Sequence, residues 1–406
     1  MHPGWRPRSI VPGVKASSEG LLPMLFPRLL STPRRRLVAA LQVTAVLAVL
    51  AVLLAGCSSP APEPPAAPAA ADLGAAVDRF VEESLSPGIR NRRAILVAVN
   101  GKTMVERYYD SNADETAVVA SVTKSIVSTL VGIAVSEDLL TLDETLSELL
   151  PSHSSVMTSQ VGAITVRQLL TMTAGLPEDD GPDPMPSGDD WVTNILRRGT
   201  VQSPGEGFAY SSASSHLLAA VLTEATSQPL LTYAREKLFD PLGIDTTPTY
   251  QPIISPRPDQ AEVRAYNRAD FAWPRDPQGI HIGYGEVKLS AEDMVKLGNL
   301  YLDQGRWAGK QVLSSDWVQD ATAPAVSTAG GFGGLGYGYQ WWVTSAGEHR
   351  AFAAIGYGGQ IIEVVPDLGL VVVASTWIDD ATSFDSRMWE MMVDMVIAPA
   401  FEPDAN

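Results

Sequence analysis

The segment QIIEVVPDLGLVVVAST, residues 360–376, decides the fold class. Two runs rich in valine and isoleucine, residues 360–365 and 370–376, flank Pro366-Asp367-Leu368-Gly369, a set of turn formers, and together read as a β-hairpin. Working outward, a second hairpin is legible near the amino end, where residues 94–100 and 104–109 flank Gly101-Lys102. Between the hairpins the spacing of apolar residues is helical from Ser121 to about Phe239, with loops interposed. Residues 73–85 carry helical apolar spacing (Ala76, Val77, Phe80, Val81) and stop at Pro87-Gly88. A final helix is expected over residues 383–397. Strands at both ends, with helices between them and at the termini, predict an α+β fold: an antiparallel sheet with terminal helices and an inserted helical lobe.

The chain has 406 residues, 29 of them basic and 46 acidic. Seven of the bases (Arg6, Arg8, Lys15, Arg28, Arg34, Arg35, Arg36) but a single acid, Glu19, precede Cys57. The remainder therefore carries about −23, which repels phosphate backbones and makes nucleic acid a poor partner. One cysteine excludes a disulfide framework and any CxxC site. The five histidines form no HExxH pair, so no metal site is expected.

The amino terminus reads as an address. Arg34-Arg35-Arg36 precedes an apolar run over residues 37–54, ended by Leu54-Ala55-Gly56-Cys57. That ending resembles a bacterial lipobox, in which the cysteine is lipidated and becomes the mature terminus. Residues 1–56 are then a signal peptide, and Cys57 is the point of attachment to the membrane. An uncleaved anchor is the competing reading; in both, the positive flank stays inside and the body is exported. Met24 is an alternative start. Residues 57–71 are rich in proline and alanine and read as a tether. The globular body is expected over residues 72–400.

Chemistry enters with Ser121-Val122-Thr123-Lys124, an S-x-x-K motif. Residues three apart share a helix face, so hydroxyl and amine can meet. Lysine serves as a base when its amine is neutral, and both desolvation and the positive end of a helix act in that direction. Alone the motif is weak: with seven lysines in the chain, about half a match is expected by chance. Two further elements add weight. Tyr210-Ser211-Ser212 stands just before an apolar helical stretch, and a phenol beside a lysine can pass a proton. Gly356-Tyr357-Gly358-Gly359-Gln360 leads into a strand, where small residues let a substrate reach backbone N–H groups.

These motifs, in this order, resemble the serine hydrolases related to class C β-lactamases, D,D-peptidases and carboxylesterases. The likeness runs from about residue 72 to 397 and includes Ile164–Leu176 (ITVRQLLTMTAGL), Phe239–Ile244 (FDPLGI) and Tyr339–Trp342 (YQWW). It implies a three-layer α/β/α sandwich plus a helical lobe. It implies Ser121 as nucleophile, with Lys124 and Tyr210 sharing base and acid roles and Ser212 facing the substrate. The N–H groups of Ser121 and Gln360 are implied as the oxyanion hole, and Tyr357-Gly358-Gly359 as the third motif. No cofactor is implied, and the partner is a small ester, amide or short peptide-like substrate; the oligomeric state stays open.

Two departures bear on substrate. Lys-Thr-Gly, or a histidine counterpart, is typical at the third motif in β-lactamases, whereas Tyr357 supplies no charge. Ser212 stands where asparagine is usual and is a shorter partner. Both favour an esterase or amidase, close to the branch with 6-aminohexanoate-oligomer hydrolases, over a D,D-peptidase or β-lactamase. A binding protein with idle catalytic residues is the remaining alternative. Residues 178–190 hold six acids and precede Trp191; a solvated surface loop is the expected reading, a substrate-attracting lid with Trp191 excluding water the sharper one. Gly331-Phe332-Gly333-Gly334-Leu335-Gly336 matches GxGxxG, but a strand-like stretch follows it, so it reads as a loop.

Overall fold

Seven strands form one antiparallel sheet: β1 (Arg92–Val99), β2 (Lys102–Tyr108), β3 (Gly336–Tyr337), β4 (Trp342–Ala346), β5 (His349–Gly356), β6 (Gln360–Val365) and β7 (Leu370–Thr376). Their order is β2-β1-β7-β6-β5-β4-β3. The computed structural model describes residues 70–84, 92–109, 111–177, 188–254, 259–328 and 336–378, with a few positions between 392 and 401. All lie in one unit, Pro64–Asn406. The signal-like run, Cys57, residues 58–69 of the tether and residues 178–187 and 331–335 fall outside the described residues, while the last two tether positions, Ala70 and Ala71, already belong to a helix.

Strands β1, β2, β6 and β7 lie where the sequence places strands, β4 and β5 were not foreseen, and the centre of the sheet joins the two ends of the body. Strand β1 pairs with β7, Val99 opposite Leu370 and Arg92 opposite Thr376. The β6–β7 turn is as expected, closed by Gly369 at φ +60. The β1–β2 turn sits one residue earlier than Gly101-Lys102: Val99 pairs with Lys102, and Asn100 and Gly101 hold φ values of +48 and +77. This is the type I′ turn, which needs positive φ at both central positions, a conformation that asparagine and glycine tolerate better than lysine.

Side chains alternate between two cores. Leu96, Ile362, Val364, Val371 and Val373 face one, and Ile95, Val97, Ile361, Val365 and Val372 face the other. Burial on both faces explains why these strands read as nearly continuous apolar runs. Seven helices matter for the site: α1 (Ala70–Ser84), α2 (Val122–Ser136), α3 (Val166–Leu170), α4 (Trp191–Arg198), α5 (Ser212–Thr226), α6 (Gln260–Arg268) and α7 (Ala291–Leu302). Helix α1 gives Leu73, Val77, Phe80 and Val81 to the second core, where Met392, Val393 and Ile397 join them; the rest of the expected final helix lies largely outside the described residues. Helix α7 packs on β7, β6 and β1 from the opposite side. The result is the expected α+β arrangement, a sheet between helical layers with a helical lobe inserted.

Helix α2 lies at the centre of the first core. Every residue from Val122 to Ala134 is buried, so this helix has no solvent face to turn toward and its orientation is fixed all round.

Candidate active site

Ser121 stands where a strand becomes α2. Ala117 and Val118 pair with Leu289 and Lys288, and the Val119 N–H donates to the Val287 carbonyl at 2.8 Å. Ala120 then adopts φ +46, a left-handed turn that a non-glycine residue rarely takes. Ser121 occupies the helix N-cap position without capping through its side chain. Its N–H has no intrahelical acceptor, as for every residue at a helix start. Its Oγ accepts instead from Lys124 Nζ at 3.0 Å.

Lys124 is 1% exposed. Its amine also donates to Ser212 Oγ and to the Tyr284 carbonyl, both at 3.1 Å, and lies 4.9 Å from the Tyr210 ring centre. These three partners are neutral oxygens. Burial penalises a charged amine, and the hydrogen bonds hold its position.

The stretch 164–176 delivers Tyr210. Thr165 and Gln168 form a reciprocal cap that starts α3. Beyond it, Met172 turns at φ +56, and its carbonyl accepts from the Ala209 N–H at 2.8 Å. The Thr173 and Gly175 carbonyls accept from Gly205 and Val201 at 2.7 and 2.8 Å. The Tyr210 ring then stacks on Trp342, with 5.7 Å between centroids and 21° between planes, and meets Tyr337 edge-on.

Gln340 ties these parts together. The Ser125 hydroxyl of α2 donates to its carbonyl, and the Ser215 hydroxyl of α5 to its Oε1, both at 2.7 Å. Its Nε2 donates to the Leu169 and Leu170 carbonyls at 3.1 Å. One buried amide thus locks the helices carrying Lys124 and Ser212 in register.

The third motif is the β5–β6 turn. Gly358 and Gly359 take φ values of +80 and +95, and Tyr357 is 66% exposed. The Gln360 side chain points into the sheet: Nε2 donates to the Thr376 carbonyl at 2.8 Å and Oε1 accepts from the Ser375 hydroxyl at 2.8 Å. Any contact of Gln360 with a substrate is therefore left to its backbone.

Ser121, Tyr357, Tyr284, Gly285, Glu286 and Ile378 line a cleft of about 370 Å³. Ser121, Lys124, Tyr210 and Ser212 come together; Ser212 meets the lysine amine rather than the opening of the cleft. The Tyr284 carbonyl and Glu286 were missed by motif reading. The only signal for them was the pair of glycines in Gly283-Tyr284-Gly285. Trp191 forms no overhang: it is buried, donates to the Gly188 carbonyl at 3.1 Å and packs edge-on to His216 at 5.7 Å. Asp190 caps α4 through the Thr193 N–H at 2.9 Å. His216 and Asp276, both fully buried, pair at 3.0 Å, and His216 Nδ1 accepts from the Gly283 N–H at 3.4 Å, just before Tyr284. Among the described residues no cluster of three or more His, Cys, Asp or Glu is placed to hold a metal ion.

The sequence signature of the Beta-lactamase family matches residues 76–392. Penicillin-binding protein 4 of Amycolatopsis lactamdurans is 26% identical over 315 residues, 70% of this chain and 80% of that protein. Protein flp of Staphylococcus aureus (strain COL) is 26% identical over 185 residues, 42% of this chain; the match spans only 37% of that relative's length. Among solved structures, EstCE1, a hydrolase with promiscuous acyltransferase activity, superposes with a TM-score of 0.64 at 19% identity, covering 81% of this chain and 99% of that one.

Proposed function

The chain belongs to the beta-lactamase family, a superfamily of serine hydrolases, and from that premise we propose that it opens an ester or amide bond through an acyl-enzyme on Ser121. The observation that carries this reading is the 3.0 Å contact between Lys124 Nζ and Ser121 Oγ beside the Tyr210 ring. Ser121 attacks the carbonyl carbon while Lys124, as the neutral amine, takes the hydroxyl proton. Tyr210 relays a proton to the leaving group, and the N–H groups of Ser121 and Gln360 hold the oxyanion. Water then releases the acyl group by the same proton transfers in reverse.

Within the family, an esterase or amidase fits better than a β-lactamase or D,D-peptidase. No lysine, arginine or histidine lines the cleft among the described residues; its charged lining is Glu286. A substrate carboxylate would find repulsion there rather than a partner. We propose further that Cys57 is lipidated and holds the catalytic body on the outer side of the cell membrane. Loss of membrane association on Cys57→Ser is the expected outcome; a variant that stays membrane-bound would point to an uncleaved anchor.

Hydrolysis of short-chain p-nitrophenyl esters by the body (residues 72–406), beside its Ser121→Ala and Lys124→Ala forms, tests the catalytic reading. Activity that falls by several powers of ten in both variants supports it. Full activity without Ser121, or a parent inert to esters and to a fluorophosphonate label, sinks it. Stable acylation by penicillin would move the assignment to the D,D-peptidase side.

A further inference from the structure

Resting on the acyl-transfer reading of the Ser121 cleft, we infer that Glu286 selects substrates bearing a cationic group joined to an apolar body. Glu286 lines the cleft that contains Ser121 and also a second hollow, of about 240 Å³, whose walls are Ile253, Ile254, Val263, Pro274 and Tyr266. Glu286 is therefore shared by the wall of the Ser121 cleft and the wall of an apolar groove.

Four observations favour a cation as the occupant. No basic side chain lines either hollow among the described residues, and Glu286 makes no ion pair there. The other acid of the groove, Glu262, is exposed and caps its own helix through the Asp259 N–H at 2.9 Å, whereas Glu286 is half-buried in the shared wall. Burial raises the Glu286 carboxyl above its usual range, offset in part by the Tyr266 hydroxyl at 3.3 Å; an incoming cation relieves the remaining penalty. Finally, Glu286 holds φ +70 directly after Gly285. A glycine would adopt that conformation without strain, and a side chain retained in a strained position beside a reacting group points to a use for it.

The surrounding surface supplies the apolar half of the specificity. Ile253 and Val263 in the groove, and Tyr357 and Ile378 at the cleft, are four of the six large apolar side chains that stand exposed among the described residues. Apolar surface gathered at one place and centred on one carboxylate matches an alkylammonium or arylalkylammonium group.

Matched p-nitrophenyl esters test the inference: 6-(trimethylammonio)hexanoate against its neutral isostere 7,7-dimethyloctanoate, and a second pair with the charge in the alcohol part of the ester. The wild type should favour the cationic member of one pair, and Glu286→Gln and Glu286→Gly should both reduce that kcat/KM ratio about tenfold. In parallel, the Ser121→Ala protein should bind hexyltrimethylammonium about tenfold more tightly than its Ser121→Ala/Glu286→Gln counterpart, read by calorimetry. Ser121-dependent hydrolysis with the same cationic-to-neutral ratio in wild type and both Glu286 variants overturns the inference and leaves the acyl-enzyme reading intact. Glu286-dependent ammonium binding by a protein inert to every ester does the reverse.

Discussion

Gly356 and Ser121 stand so close that a methyl group on Gly356 would lie 3.1 Å from the Ser121 amide nitrogen and overlap the Val119 carbonyl. The strand leading into the third motif is thus pressed against the start of helix α2, and glycine is what permits it. Gly356→Ala should lower kcat about 100-fold or more, the scale of losing one oxyanion donor, while overpacking costs roughly 1–3 kcal/mol of stability. Steady-state kinetics alongside urea unfolding will separate the two. Near-normal kcat would detach this turn from the chemistry.

Tyr210 offers a cleaner separation. Its ring stacks on Trp342, and phenylalanine preserves that packing while deleting the hydroxyl. Tyr210→Phe should therefore unfold within about 1 kcal/mol of the parent yet lose about 10²–10⁴ in kcat, the range for a proton-transfer residue. An unchanged kcat would remove Tyr210 from the relay.

How much of this was readable in advance follows from the range of the interactions. Strands β6 and β7 and their turn were plain because valine and isoleucine runs around Pro366–Gly369 are a local signal. Ser121 and Lys124 were readable because three residues on a helix fix their distance. The β1–β2 turn was misplaced by one residue because both Asn100-Gly101 and Gly101-Lys102 contain the glycine, and only the required sign of φ at both positions chooses between them. Gln340, the Tyr284 carbonyl and Glu286 were silent. Gln340 acts through partners over a hundred residues away in α2, α3 and α5, Tyr284 through its backbone, and Glu286 through a conformation no side-chain pattern reports.

The buried pair behind the site should matter twice. His216 holds Asp276 on one side and the Gly283 N–H on the other, and the next carbonyl, that of Tyr284, accepts from Lys124. Removing the imidazole takes one hydrogen bond from Asp276, whose Oδ1 keeps the Gln278 and Ile280 N–H groups, so His216→Ala should cost about 1–3 kcal/mol and lower kcat as well. His216→Gln, which can still donate to Asp276, should recover part of both. Denaturant midpoints and kcat measured on the two variants check this; a full stability loss without any change in kcat would uncouple the pair from the lysine.

A second histidine sets an acid limit. Burial, with Arg275 nearby, depresses His281 to about 4, and its Nε2 contacts Gln251 Oε1 at 3.0 Å. Between pH 6.5 and 4 the unfolded chain binds a proton at this position that the folded chain refuses, so stability falls as pH drops through that window. The loss amounts to about 3 kcal/mol and grows no further below pH 4. In His281→Gln this component should vanish. Unfolding free energies of both proteins at several pH values check it, and parallel curves would show that His281 contributes nothing to acid sensitivity.

The placement of β1 beside β7 has a consequence for the order in which the enzyme comes into being. Lys124 follows Ser121 by three residues, so the two are synthesised early and almost together. The turn that presses on Ser121, and the strand that seals β1 into the sheet, arrive only after most of the body has been made. At about 5–20 residues per second, the nascent hairpin of β1 and β2 waits on the order of 15–60 s for its central neighbour. Until then one edge of β1 is open and Ser121 lacks its opposing wall. On the acyl-enzyme proposal, the pair would become reactive only at closure, as the last strands enter.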